Sequence, residues 1–147
     1  MTGVMSAIEA DERTLQFNPG DIAVKNSLGM NHLLLGELDA ARESCDTPKR
    51  SWQGRLCMSI LYDKRHRHSD AEAELVAMRA ELGDGASYQY AEIYAQWGDI
   101  PKALEWLDTA YRLPDPGIGT LKVDTLIDPL RNQPRFREIE RKLAFPN

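Results

Sequence analysis

Apolar residues in this chain recur at intervals of three and four, and nowhere in a sustained alternation of two. The clearest run is Tyr88 to Pro116. Tyr90, Ala91 and Tyr94 fall on one face of a helix. Trp97–Gly98–Asp99 ends it, because Gly98 is free to take left-handed backbone and Asp99 is placed to cap a following helix. Pro101 falls in that helix's opening turn, where its missing N–H costs little. Ala103, Leu107 and Ala110 give the second helix a matching face, and Pro114 and Pro116 stop it. The pattern predicts an antiparallel helix hairpin with Ala91 facing Ala103 across the seam.

The same period extends upstream. Ser6 to Phe17 predicts an amphipathic helix whose apolar positions are Ala7, Ala10, Leu15 and Phe17, stopped by Asn18–Pro19–Gly20. Asp21 is placed to cap a helix over Ile22–Leu35, Gly36 turns the chain, and Leu38–Cys45 returns to end at Asp46–Thr47–Pro48. Ser51 opens a helix to about Arg65, and its partner runs from Ser69 to Leu82, before Gly83–Asp84–Gly85. Beyond Pro116, Gly117–Ile118–Gly119 reads as a flexible link and Leu121–Ile127 as a short helix or turn. A last helix after Pro134 places Phe136, Ile139 and Leu143 on one face. β-branched residues are sparse and no segment predicts a strand, so the fold class is all-α.

The helices share a register. Turn positions fall at Gly36, His66 and Gly98. Five residues after each stands an alanine (Ala41, Ala71, Ala103). Seven before stands a small residue (Gly29, Ser59, Ala91), and four before stands a ring (His32, Tyr62, Tyr94). This arrangement resembles the tetratricopeptide repeat over Ser6 to Pro116. Ala7 to Ala41 gives that repeat's spacing of 34 residues, whereas the next two alanine spacings are 30 and 32. His66 replaces the turn glycine, and histidine tolerates left-handed backbone better than most residues. The first-helix tryptophan of the family is missing. The resemblance implies one domain over 1–147, a right-handed superhelix. Its expected parts are a half-repeat at 6–19, hairpins at 22–48, 52–83 and 84–116, and a cap at 117–147. The run DPLRNQPRFREIERKL resembles the closing segment of repeat regions in bacterial signalling and regulatory proteins.

What the resemblance implies for function is a non-catalytic scaffold that binds a protein, as a peptide or helix, in a concave groove lined by the first helices. Register assigns Asn26, Met30 and Leu33 to that groove, then Leu56, Ile60, Asp63 and Lys64, then Tyr88, Glu92 and Gln96. Repeats that grip chaperone C-termini carry a lysine and an asparagine where Asn26 and Met30 stand, so that activity is not expected. The half-repeat lacks its first helix, which leads to the expectation of a homodimer or docked helix on Ala7, Ala10, Leu15 and Phe17. The alternatives are a regulatory module serving a separate signalling enzyme or transcription regulator, and a small metal-dependent enzyme built on His66 and His68.

Composition narrows these readings. The chain has 147 residues, 42% hydrophobic and 28% charged, as expected of one soluble globular domain. Its net charge of −5 disfavours nonspecific binding to nucleic acid or acidic membranes. No apolar run approaches membrane-spanning length, Met1–Ala10 has no export-signal pattern, and the expected location is the cytoplasm. Cys45 and Cys57 lack metal-ligand spacing and are expected to be buried, reduced thiols. Residues 131–142 run against the overall charge, with Arg131, Arg135, Arg137, Arg141 and Lys142 outnumbering Glu138 and Glu140. His66, His68 and Asp70 lie beside Lys64, Arg65 and Arg67, whose charges oppose a metal cation. Glu72 and Glu74 fall on different helix faces, the pattern of solvated carboxylates. No catalytic residue, metal or cofactor is expected.

Overall fold

The computed structural model describes residues 2–143, in which every regular element is helical. The α-helices are α1 (Thr2–Phe17), α2 (Ile22–Leu34), α3 (Leu38–Cys45), α4 (Trp52–Lys64), α5 (His68–Leu82), α6 (Ser87–Trp97), α7 (Ile100–Arg112) and α8 (Pro134–Leu143). Tight 3-10 turns occupy Gly83–Ala86, Pro116–Thr120 and Thr125–Leu130. Among the described residues no helix is long and apolar enough to cross a membrane. α1 starts four residues before the predicted Ser6. The link expected to be flexible at 117–119 is instead a capped 3-10 turn, held where the Gly117 N–H donates to Asp115 Oδ1 at 2.8 Å.

Local chemistry accounts for where helices begin. The side chains of Asp21, Ser51 and Asp99 accept from the free N–H groups of Val24, Gly54 and Lys102 at 3.1, 3.3 and 3.3 Å. The ends repeat one another more closely still. Gly36, His66 and Gly98 have φ of 78°, 61° and 81°, so all three turn positions are left-handed. After each, the next N–H reaches back to the carbonyl of the ring four positions before the turn: Glu37 to His32 at 2.9 Å, Arg67 to Tyr62 at 2.8 Å, Asp99 to Tyr94 at 2.9 Å. The turn residues' own N–H groups donate to Leu33, Asp63 and Ala95. This is the Schellman closure, made three times in the same register.

Contacts divide the chain into two compact units, one up to Leu75 and one from Val76 onward. In the first, α2 and α3 run antiparallel, and α4 packs on both. The seam closes at Gly29, which lies against Cys45, Ser44 and the Ala41 carbonyl. Ser59 and Ala71, the equivalent pair further along, are fully buried. α1 lies on α2, where Asp11 accepts from Ser27 Oγ at 2.8 Å and Asn31 Nδ2 at 3.4 Å. In this arrangement Ala7 and Leu15 are half-buried while Ala10 and Phe17 stay exposed.

The expectation of reduced thiols is overturned: Cys45 and Cys57 form a disulfide, both fully buried, with Cα atoms 6.3 Å apart. The chain reverses between them, so the last residue of α3 comes to rest under the second turn of α4. Twelve residues of sequence separation concealed this proximity.

In the second unit α6 and α7 form the hairpin, and α8 packs on α7. Ala91, Ala95, Ala103, Leu107 and Ala110 share one core with Leu121, Ile127, Leu130, Phe136 and Ile139. Burying a side chain such as Leu107 or Phe136 contributes roughly 1.5–3 kcal/mol. Tyr90 meets Trp106 edge-on at 4.9 Å between ring centroids, and the Arg79 guanidinium lies over the Trp106 ring, 5.0 Å from its centroid.

Candidate binding surface

The residues expected to line a groove meet two different fates. In the second unit, the face of α6 that carries Tyr88, Glu92 and Gln96 is covered by the chain's own segment 115–130. Tyr88 hydroxyl donates to Asp124 Oδ2 at 2.7 Å, the Tyr88 N–H donates to Asp115 Oδ2 at 3.0 Å, and Gln96 Nε2 donates to the Leu126 carbonyl at 2.7 Å. Gly117 lies so near the Tyr88 ring that a Cβ there would be 2.6 Å from Cδ1. Arg131 holds the segment in shape by donating to the carbonyls of Leu121 and Asp124 and to the Asp128 carboxylate. These three positions therefore contact the chain's own segment 115–130 and do not line an open groove.

Burial gives this contact an unusual electrostatic character. Glu92 is 7% exposed. Burial, reinforced by the Asp124 and Asp115 carboxylates, pushes its pKa up to about 10, so it sits protonated against Asp124 at neutral pH. Burial likewise pushes the Tyr88 hydroxyl above its ordinary value. Asp124 accepts from the Leu126 N–H at 2.9 Å as well as from Tyr88.

In the first unit, Asn26, Leu33, Leu56 and Ile60 are buried, which corrects the expectation that they stand free for a ligand. Asn26 Nδ2 donates to Ser51 Oγ at 2.8 Å and so ties the second turn of α2 to the cap of α4. The three apolar residues serve packing, as their side chains favour. Met30 and Asp63 are half-buried and Lys64 is exposed. Asp63 is engaged with His68 Nδ1 at 2.8 Å.

What the first unit does expose is at the end where α1 hands over to α2 and α3 to α4. Among its described residues the large exposed apolar side chains are Met5, Phe17, Ile22 and Trp52, and three of these four stand at that end. Phe17 closes α1, Ile22 opens α2 and Trp52 opens α4. In the same unit a cleft of about 420 Å³ is lined by Asp46, Thr47, Pro48, Arg50 and Arg55, residues that flank Trp52 in the sequence. Glu74, expected to be solvated, is instead 6% exposed and paired with both Arg50 and Arg55. Arg50 also bonds Asp46 and holds that carboxyl below the usual carboxylate range. Pairing Glu74 with two guanidiniums is what makes its burial tolerable.

The histidine turn is occupied in another way. His68 reaches Asp63 and Glu72, and Arg67 pairs with Asp70. Among the described residues no group of three or more His, Cys, Asp and Glu is arranged to hold a metal ion. In the tail, Arg135 pairs with Asp108 and Glu138, and Lys142 pairs with Glu138, so much of its positive charge is matched within the unit. Comparison with known protein families, curated proteins and solved structures returns no match to this chain.

Proposed function

We propose that the protein is a non-catalytic protein-binding scaffold of tetratricopeptide-like hairpins, and that it meets its partner at the loop end of the first unit. The observation that carries this reading is the placement of Phe17, Ile22 and Trp52 at that end. Phe17 is 89% exposed there. Large exposed apolar side chains at one end of the unit, with Arg50 and Arg55 flanking Trp52 in the sequence, match the composition of protein contact surfaces, where aromatic residues and arginine are enriched. The covered α6 face takes no part in this reading, and neither do the buried positions of α2 and α4.

Crosslinking in the native cell followed by mass spectrometry tests it. Crosslinks to a partner protein are expected around residues 17–22 and 46–55. The double variant Phe17→Ser, Trp52→Ser is expected to lose them while melting near the parent temperature, since both side chains are exposed. A partner recovered equally well by that variant would refute the assignment of this surface.

A further inference from the structure

Every residue lining the cleft of the first unit lies between Cys45 and Cys57, in a loop that the disulfide closes. We infer that this loop is a recognition site for a carboxylate carried on a partner peptide, with Arg55 as the principal contact. The inference rests on the protein-binding reading above and specifies the chemistry of the partner.

Four features support it. Arg50 is committed: its guanidinium bonds both Glu74 and Asp46, so it serves the loop's own structure. Arg55 is not. It lines the cleft and bonds Glu74 through Nη1 alone at 3.1 Å; its Nε is buried, and its Nη2 is left for another acceptor. Local charge favours an anion. Arg42, Arg50 and Arg55 pair with Asp46 and Glu74, three cations against two carboxylates, in a chain whose net charge is −5. Asp46 opposes an incoming anion, but its charge is shared between Arg50 and Arg42.

The third feature is rigidity. The disulfide fixes both ends of the loop, Ser51 fixes its middle by accepting from Asn26 and Gly54, and Glu74 braces both arginines from α5. A site held this way loses little conformational freedom on binding. The fourth is context: Trp52 lies within the loop and Ile22 opens the neighbouring helix, so apolar side chains flanking the partner's carboxylate have surfaces to cover. A single arginine–carboxylate contact at a protein surface is weak alone, and the flanking burial is what makes it specific.

The test is calorimetric titration of the oxidised protein with a blocked pentapeptide alternating leucine and glutamate, and with the same peptide carrying glutamine for glutamate. The glutamate peptide is expected to bind and the glutamine peptide to bind at least tenfold more weakly, with affinity falling as salt is raised. Arg55→Gln leaves Glu74 paired with Arg50 and is expected to weaken the glutamate peptide at least tenfold. Arg55→Lys should recover part of that loss. Thermal melts of both variants establish that they are folded. Equal affinity for the two peptides, or an unchanged affinity in folded Arg55→Gln, would overturn the carboxylate site and leave the protein-binding surface standing. Absence of binding by either peptide, together with crosslinks that map elsewhere, would overturn both.

Discussion

Gly29 faces Cys45 so closely that a Cβ at position 29 would fall inside the van der Waals shell of the Cys45 sulfur. The α2–α3 seam thus has no room for even a methyl group, and the sulfur cannot yield because it is bonded to Cys57. Gly29→Ala is expected to destabilise the protein by about 1–3 kcal/mol despite the better helix propensity of alanine. Denaturant unfolding of the oxidised variant checks this. A neutral or stabilising outcome would mean that α2 and α3 are not pressed together here.

The disulfide should contribute through the unfolded chain. Closing a loop of this size stabilises by roughly 3 kcal/mol in the chain-entropy account. The reduced protein, or Cys45→Ala with Cys57→Ala, is expected to unfold at correspondingly lower denaturant. Because both cysteines are fully buried, a thiol reductant should open the bond much more slowly in the native protein than in the denatured one. Timed alkylation of released thiols measures the two rates.

His66 holds a left-handed φ of 61° where Gly36 and Gly98 do the same work without a Cβ. An L-residue in that region costs roughly 1–2 kcal/mol, somewhat less for histidine. His66 is exposed. His66→Gly is therefore expected to raise stability by about 0.5–1 kcal/mol, since relief of strain exceeds the added freedom of the unfolded chain. A rise of a few degrees in melting temperature would show it.

Glu92 should make the protein less stable as pH rises. Its pKa is about 10 when folded against an ordinary value of 4.5, so the folded state holds the extra proton across that window. Stability is then greatest below pH 4.5 with respect to this group and is lost progressively up to pH 10. Glu92→Gln, which keeps a donor for Asp124 without the titration, is expected to gain several kcal/mol, about 5 at most, at pH 8 and little near pH 4. Parallel unfolding curves for parent and variant at the two pH values check the sign.

Gly117 tests the covering of α6. A Cβ there would meet the buried Tyr88 ring at 2.6 Å from Cδ1 and 2.8 Å from Cγ. Gly117→Ala is expected to cost about 1–3 kcal/mol, and to raise the exposure of Tyr88 to solvent as the segment lifts. Unfolding curves and tyrosine fluorescence quenching report the two effects.

The sequence alone determined the helices between 22 and 112, with the caps and turns that join them, though not the start of α1 or the turn at 116–120. Asp21, Ser51 and Asp99 act on N–H groups three residues away, and Gly36, His66 and Gly98 close turns within six residues, so the governing chemistry lies inside a short window. The candidate binding surface was legible only in part: Phe17 was singled out, whereas Trp52 and Arg55 were not, because nothing local distinguishes them from other residues opening a helix. Only the tertiary structure decided that Cys45 meets Cys57, that Glu74 lies between Arg50 and Arg55, and that Asp124 comes down on Tyr88 and Glu92. Those partners are 12 to 36 residues apart. Their meeting depends on how whole helices stack and where the final segment lands, which summed packing fixes and no single spacing records.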